Sequence, residues 1–185
     1  MSVYEKGNVL ANIMILGEAP GREEEEQGVP FVGPSGKLLH ALLDYIGLKR
    51  DYLFFTNVIT DRQKNSRVSE VDKLELIQLG IPRLKRVIRL VKPKLIICFG
   101  DTAMIAMKII INDMPITKSI TKMNGEVDTV DVRYMNDKLH ILYTLHPASA
   151  LPSRHPENRK LIAKAIINNK DIIEPITGNI ILRGA

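Results

Sequence analysis

Four short runs rich in apolar and β-branched residues, each leading into a turn, constrain the fold of this 185-residue chain most strongly. They span residues 12–16, 52–59, 94–99 and 139–145. Runs of this length and composition are typical of strands buried in a parallel sheet. Because segments with helical spacing lie between them, the sequence predicts an α/β fold.

Apolar residues recur at helical spacing in the segments between these runs. Residues 35–46 form one predicted helix, with Ser35 as its N-cap and Gly47 as its stop. Pro82 should kink a second predicted helix or start a new turn in it, and Asp101 can cap a third. These further helices are predicted over residues 74–90, 102–111 and 157–167.

Two segments carry weaker patterns. Residues 112–137 are polar and rich in turn formers around Asn124-Gly125, which is typical of a hairpin. The tail after Asp171 either adds an edge strand or packs loosely. The sequence therefore predicts a single-domain three-layer sandwich over residues 1–185, with a central, mostly parallel four-stranded sheet flanked by helices.

The composition fits one domain with a sizeable core, because 45% of the residues are hydrophobic. No apolar run approaches the roughly 20 residues of a membrane span, and no signal peptide opens the sequence. We therefore expect an intracellular, soluble protein with no membrane partner. The single cysteine, Cys98, lies within the third apolar run and is expected to pack as a small hydrophobe.

Polar and aromatic residues follow the apolar runs on turns built from glycine and proline. Gly17-Glu18-Ala19-Pro20-Gly21 follows the first run, and Pro30-Phe31-Val32-Gly33 comes soon after it. The fourth run leads into His146-Pro147-Ala148. Because the carboxyl ends of parallel strands share one edge of a sheet, a carboxylate, an aromatic ring and an imidazole are predicted to meet there in a functional site.

Basic residues are grouped after two of the runs. The formal net charge of +5 permits a polyanionic partner without requiring one. If both runs are strands of one sheet, their basic clusters share an edge. The first cluster is Arg62, Lys64 and Arg67, and the second is Arg154, His155, Arg159 and Lys160.

Several motifs together resemble the uracil-DNA glycosylase superfamily, particularly its family 4. The resemblance runs from about residue 13 to residue 160, within a motif-bearing core of about 13–168. The long, gap-free first motif is the most specific part of it. The matching segments are Gly17-Glu18-Ala19-Pro20-Gly21, Glu24-Glu25, residues 28–33, residues 36–39, Asn57-Val58-Ile59, residues 93–96 with Gly100 and Ala103, and His146-Pro147-Ala148.

The resemblance implies a monofunctional enzyme that hydrolyses the N-glycosidic bond of uracil, or a close analogue, flipped out of DNA. Phe31 would stack on the base, and the Asn57 amide would pair with N3–H and O4 of uracil. His146 would donate to O2 of the departing base, and Glu18 would orient the attacking water. The base pocket would also include Gly17 and Ala19.

The resemblance also implies contacts to DNA outside the pocket. Turn amides near Gly17, Gly33 and Ser35 would cradle a phosphate, and basic side chains would hold others. Leu151, in the loop over residues 148–156, would wedge into the base stack. We expect a monomer acting on uracil-containing DNA. The basic residues expected to hold phosphates are Arg62, Lys64, Arg67 and Arg154.

Each assignment has a plainer alternative, since Phe31 could be a core residue and Asn57 or His146 a hydrogen-bonded residue after a strand. For the whole protein, the alternatives are a glycosylase-fold binding protein that does not cut and a small-molecule nucleosidase. The intact set of site residues argues against the first, and the basic loops argue against the second.

The sequence departs from family 4 in two respects. Members of that family commonly bind an iron–sulfur cluster through four cysteines, whereas this sequence has only Cys98, so no cofactor is expected. Residues 60–67 replace the usual Cys-Arg-Pro-Pro pattern after Asn57. The acidic run over residues 23–26 is expected to be a solvated loop, in which only Glu24 and Glu25 match acidic positions of the family.

Overall fold

The computed structural model describes residues 5–63, 69–111, 119–132 and 137–178, which form a six-stranded sheet with associated helices. In these residues the strands are β1 Glu5–Gly7, β2 Ile13–Gly17, β3 Leu53–Asn57, β4 Leu95–Phe99, β5 Val127–Val132 and β6 Asp137–Thr144. The helices are α1 Arg22–Gln27, α2 Pro34–Tyr45, α3 Glu70–Val91, α4 Asp101–Ile110, α5 Ile120–Met123, α6 Asn158–Ile167 and α7 Lys170–Thr177. Short 3-10 turns cover Arg50–Tyr52 and Pro147–Ala150.

The sheet order is β1-β3-β2-β4-β6-β5. The four predicted strands are its parallel centre, β3, β2, β4 and β6. The expected count of four strands was wrong, because β1 and β5 add antiparallel edges on β3 and β6. Both edge strands lack the buried apolar run by which the central strands were recognised, since their residues are half-buried or exposed.

The hairpin near the end of the sheet is formed by β5 and β6, so its turn does not lie at Asn124-Gly125 as expected. Asn124 instead accepts hydrogen bonds from Thr144 Oγ1 at 2.9 Å and from Leu145 N at 3.2 Å. Gly125 N donates to the Tyr143 carbonyl at 2.8 Å. These contacts hold the segment before β5 against the end of β6.

Three helix ends differ from the expected ones. Gly33 is the N-cap of α2 in place of Ser35, because Pro34 already occupies the first helical position. Helix α3 begins after the N-cap Ser69 and runs through Pro82 without interruption. Asp101 does not cap α4, because its carboxylate accepts a hydrogen bond from Ile120 N at 3.0 Å.

The tail also differs from the sequence-based expectation. Residues after Asp171 continue in helix α7 to Thr177, and no edge strand forms in the described part of this tail. Its buried residues, Ile173 and Ile176, join the core. Loose packing is therefore wrong for this segment as well.

Helices α3 and α4 contact each other, as do α2 and α6. None of the helices that the structure describes combines the length and the apolar content of a membrane span.

The register of the parallel strands places their carboxyl ends together. Gly17 lies opposite Asn57, and Phe99 lies opposite Thr144. All residues of β2, β3 and β4 are buried, so the ends of these strands are fixed by the core beneath them. Glu18 and His146 therefore leave the sheet at one edge.

Two helical leucines test where the stability of the fold comes from. Leu39 in α2 is fully buried, and Leu90 in α3 is 72% exposed. Leu39→Ala should lower the free energy of unfolding by about 2–5 kcal/mol, since it leaves a cavity in the core. Leu90→Ala should change it by less than about 0.5 kcal/mol. Urea denaturation measures both, and equal effects would contradict the packing described here.

Candidate active site

A pocket of about 370 Å³ opens at the carboxyl edge of the sheet. It brings together residues from the turn after β2, the end of β3, the first turn of α2 and the turn after β6. Six of the predicted site residues line it, whereas Gly17 and Glu18 do not: the six are Ala19, Phe31, Gly33, Ser35, Asn57 and His146.

His146 lines this pocket directly after β6. Its Nδ1 accepts a hydrogen bond from Ala148 N at 3.1 Å, so in the neutral ring the proton lies on Nε2. Burial lowers the pKa of His146, although the negative charge of Glu18 opposes the change. The imidazole is therefore neutral at pH 7 and has one N–H to donate.

Gly100 makes room for this imidazole. A Cβ at position 100 would lie 3.1 Å from His146 Cβ, and the φ of Gly100 is +89°, which side chains rarely adopt. The turn after β4 therefore fixes the position of the ring that follows β6.

Asn57 is the last residue of β3, and it is only 3% exposed. Its side-chain amide makes no hydrogen bond within the described part of the chain, although it lines the pocket. A Cβ at Gly17 would lie 2.5 Å from Asn57 Oδ1 and 2.6 Å from Phe31 Cζ. The missing side chain at Gly17 thus lets the amide and the aromatic ring approach one another.

Phe31 has an unusual backbone for a bulky residue, with a φ of +58°. Its ring is buried and packs on Phe55, with 5.6 Å between the ring centroids. His40 Nε2 lies 3.0 Å from the Phe31 carbonyl oxygen. Burial, and then the positive charge of Arg50, lower the pKa of His40.

The start of α2 passes very close to this turn. A Cβ at Gly36 would lie 2.2 Å from the Phe31 carbonyl carbon, so the helix can pack here only with glycine at that position. The turn that carries Phe31 is therefore held by the backbone of α2 as well as by its own side-chain contacts.

Glu24 lies behind this turn and is buried, contrary to the expected solvated loop. The run forms helix α1, and the Glu24 carboxylate accepts hydrogen bonds from three backbone N–H groups. Oε2 accepts from Gly21 at 3.0 Å, and Oε1 accepts from Val32 at 3.0 Å and from Gly33 at 2.7 Å. The Gly33 amide thus donates to Glu24, and its expected contact with a DNA phosphate stays a prediction.

Glu18 follows β2, and its side chain is 43% exposed. Lys73 Nζ of α3 lies 3.9 Å from Glu18 Oε1. Sequence reasoning missed Lys73, because its proximity depends on how α3 packs, and no local motif marks it. The carboxylate therefore has a positive neighbour beside the pocket.

The other residues expected to contact DNA are Arg62, Lys64, Arg67, Leu151 and Arg154. Arg62 forms an ion pair with Glu25 at 3.2 Å, while Lys64 and Arg67 lie outside the described residues. Leu151 is partly buried and Arg154 is exposed in the loop after His146. The charge of Arg154 contributes to the lowered pKa of His146, which places it on the same side of the molecule.

The sequence matches the family model of the uracil DNA glycosylase superfamily over residues 4–168. The chain belongs to this superfamily. It is 37% identical over 163 residues to the type-4 uracil-DNA glycosylase of Sulfurisphaera tokodaii, a match that covers 87% of this chain and 70% of that protein. The enzyme of the same name from Saccharolobus solfataricus is 35% identical, with 100% of this chain and 82% of the relative covered. A third, from Thermotoga maritima, is 30% identical, with 93% and 83% covered.

The iron–sulfur cluster common in family 4 of this superfamily does not fit the residues present. The one cysteine, Cys98, is fully buried in β4, and burial raises its thiol pKa well above the usual value. A four-thiolate site cannot be built from it. Within the described ranges, no three His, Cys, Asp or Glu side chains form a group that could hold a metal ion.

The Glu24 contacts can be tested with a nearly isosteric change. Glu24→Gln replaces one accepting oxygen by an NH₂ group that faces a backbone N–H, which should lower the free energy of unfolding by about 1–3 kcal/mol. Glu26→Gln is the matched control, because Glu26 is exposed on the same helix. Chemical denaturation of both variants measures the difference, and no difference would contradict a structural role for the buried carboxylate.

Proposed function

We propose that this chain hydrolyses the N-glycosidic bond of uracil, or a close analogue, in DNA, and leaves an abasic site. The observation that carries the proposal is the meeting of Phe31, the unbonded Asn57 amide and the Nε2–H of His146 at one pocket. The names of the relatives, which share 30–37% identity with this chain, support it.

A base inside a duplex cannot reach such a pocket, so the nucleotide must first be flipped out, at a cost of a few kcal/mol. Phe31 supplies a wall on which the uracil ring stacks. Asn57 accepts from N3–H and donates to O4 through the two ends of its amide. Cytosine presents the opposite pattern at these atoms, which leaves the amide mismatched. Gly17 and Ala19 complete this base-binding site.

Cleavage transfers the electron pair of the glycosidic bond to the departing base. His146 Nε2–H donates to O2 of uracil, where this negative charge develops. The neutral state of the ring fits this role, because Nδ1 is held by Ala148 N and only Nε2 is left to donate. The carboxyl edge of the sheet therefore supplies both recognition and leaving-group stabilisation.

The sugar becomes positively charged as the base leaves. Glu18 orients the water that attacks the anomeric carbon, and its carboxylate favours an oxocarbenium-like transition state. Lys73 Nζ lies 3.9 Å from this carboxylate. No metal or organic cofactor takes part in these steps.

The DNA backbone is held around the pocket. Ser35 lies in the first turn of the 12-residue helix α2, where free amides favour a phosphate. Arg62 and Arg154 hold further phosphates, and Leu151 fills the gap in the base stack. Lys64 and Arg67 have the same expected role. The protein acts as one domain, a three-layer sandwich, and as a monomer inside the cell.

The reaction can be followed with labelled oligonucleotides that contain a single uracil. The wild-type protein should release uracil and leave a strand that breaks only after alkali treatment. Glu18→Ala and His146→Ala should each lower the single-turnover rate by at least about 100-fold, through loss of the water-positioning carboxylate or of the donor to O2.

Two further measurements separate the alternatives. Binding of uracil-containing DNA without release of the base would indicate a non-catalytic binding protein. Release of uracil from free deoxyuridine at a similar rate would indicate a nucleosidase. Wild-type rates in both the Glu18 and His146 variants would contradict the proposed mechanism.

Base recognition is tested at Asn57. Asn57→Asp loses the donor to O4 but can accept from the exocyclic amine of cytosine, so it should lose most activity on uracil and gain weak, pH-dependent activity on cytosine. Asn57→Ala should lose the first activity without gaining the second. Single-turnover assays on paired uracil and cytosine substrates measure both, and an Asn57→Ala variant as fast as wild type would move recognition to another residue.

A further inference from the structure

Arg83 lies in α3, outside the residues that line the pocket, yet its guanidinium group contacts the end of β3. Nη1 donates to Thr56 Oγ1 at 3.1 Å and pairs with the Glu5 carboxylate. Nη2 donates to the carbonyl oxygen of Asn57 and, at 3.4 Å, to that of Val58. One side chain thus contacts three successive residues where the chain leaves the sheet.

The approach of α3 to this point depends on a glycine one turn earlier. A Cβ at Gly80 would lie 2.3 Å from the Val58 carbonyl oxygen, so the helix backbone packs directly against the strand end. This contact fixes how far Arg83 stands from the carbonyl groups that it binds. The other side of the same turn is held by Val58 N, which donates to Gly17 O at 3.0 Å.

The positive charge of Arg83 is compensated by Glu5 of the neighbouring edge strand β1. The side chains of Arg83 and Glu5 are only 15% and 26% exposed, and strand β1 brings Glu5 opposite Thr56. In such a largely buried pair, loss of either partner leaves the other charge uncompensated. The two side chains are therefore held in one geometry. Glu5 therefore anchors the guanidinium, and the guanidinium anchors the backbone of Asn57.

We propose that Arg83 is a positioning residue for uracil recognition, which acts by fixing the backbone at Asn57 and so the direction of its amide. The proposal rests on the function proposed above. An amide can pair with N3–H and O4 together only if both of its ends are aligned, so a small rotation of residue 57 loses recognition without altering His146.

A double-mutant cycle separates this role from general stabilisation. Arg83→Lys keeps the positive charge but cannot reproduce the planar fork of donors. It should lower the single-turnover rate on uracil-containing DNA by about tenfold, a coupling typical of residues in direct contact. In the Asn57→Ala background the same change should have no further effect, whereas in the His146→Ala background the full tenfold loss should return.

Arg86→Lys, an exposed change on the same helix, is the matched control and should leave the rate unaltered in every background. Thermal unfolding of each variant gives the folded fraction at the assay temperature. If Arg83→Lys does not fold, Glu5→Gln replaces it in the cycle, because it weakens the anchor and leaves the guanidinium in place. The same pattern of coupling is then expected.

Different results would overturn the role of Arg83 and the proposed function. An active wild type in which Arg83→Lys has no effect, or has an equal effect in the Asn57→Ala and His146→Ala backgrounds, overturns the role of Arg83 alone. A wild type that does not release uracil overturns the proposed function, and the inference falls with it.

Discussion

The site depends on the pairing of Gly17 with Asn57 across strands β2 and β3. This register places Gly17, which has no side chain, opposite the amide of Asn57. The space beside Gly17 is taken by the Phe31 ring and the Asn57 amide. A shift of one residue would turn every side chain of a strand to the other face of the sheet. The apolar core of the parallel strands therefore sets the geometry of the pocket.

Backbone N–H groups balance part of the negative charge near the pocket. An acidic run beside a polyanion would be expected to repel it, but the buried member of the run, Glu24, is surrounded by three N–H donors. The Glu24 carboxylate holds the turn around Phe31 through these hydrogen bonds. Arg62 pairs with Glu25, so part of the remaining acidic charge is also balanced. The surface around the pocket is consequently less acidic than the sequence suggests.

The sequence predicted the central strands and the edge at which the site lies, because buried parallel strands leave a continuous apolar signal. Phe31, Asn57 and His146 line one pocket, and their roles in base binding and catalysis stay predictions. The edge strands β1 and β5 could not be predicted this way, since half-exposed strands lack that signal. Lys73 and Arg83 were missed because their contacts depend on the packing of α3, which a local pattern does not encode. Glu24 could have been suspected from the glycines and proline around it, whose turns leave amides in need of an acceptor.

The left-handed backbone of Phe31 has a consequence for which base pairs the protein would act on. That conformation costs on the order of 1–2 kcal/mol for a bulky residue. The free energy of folding offsets this cost before any DNA is present. The turn therefore sets the direction of the Phe31 ring within the protein itself. On the proposed function, the energy of opening falls almost wholly on the duplex, so a uracil mispaired with guanine reaches the pocket more readily than one paired with adenine. On the proposed function, the protein turn is thus set in advance, and the stability of the base pair is left as the cost of entry.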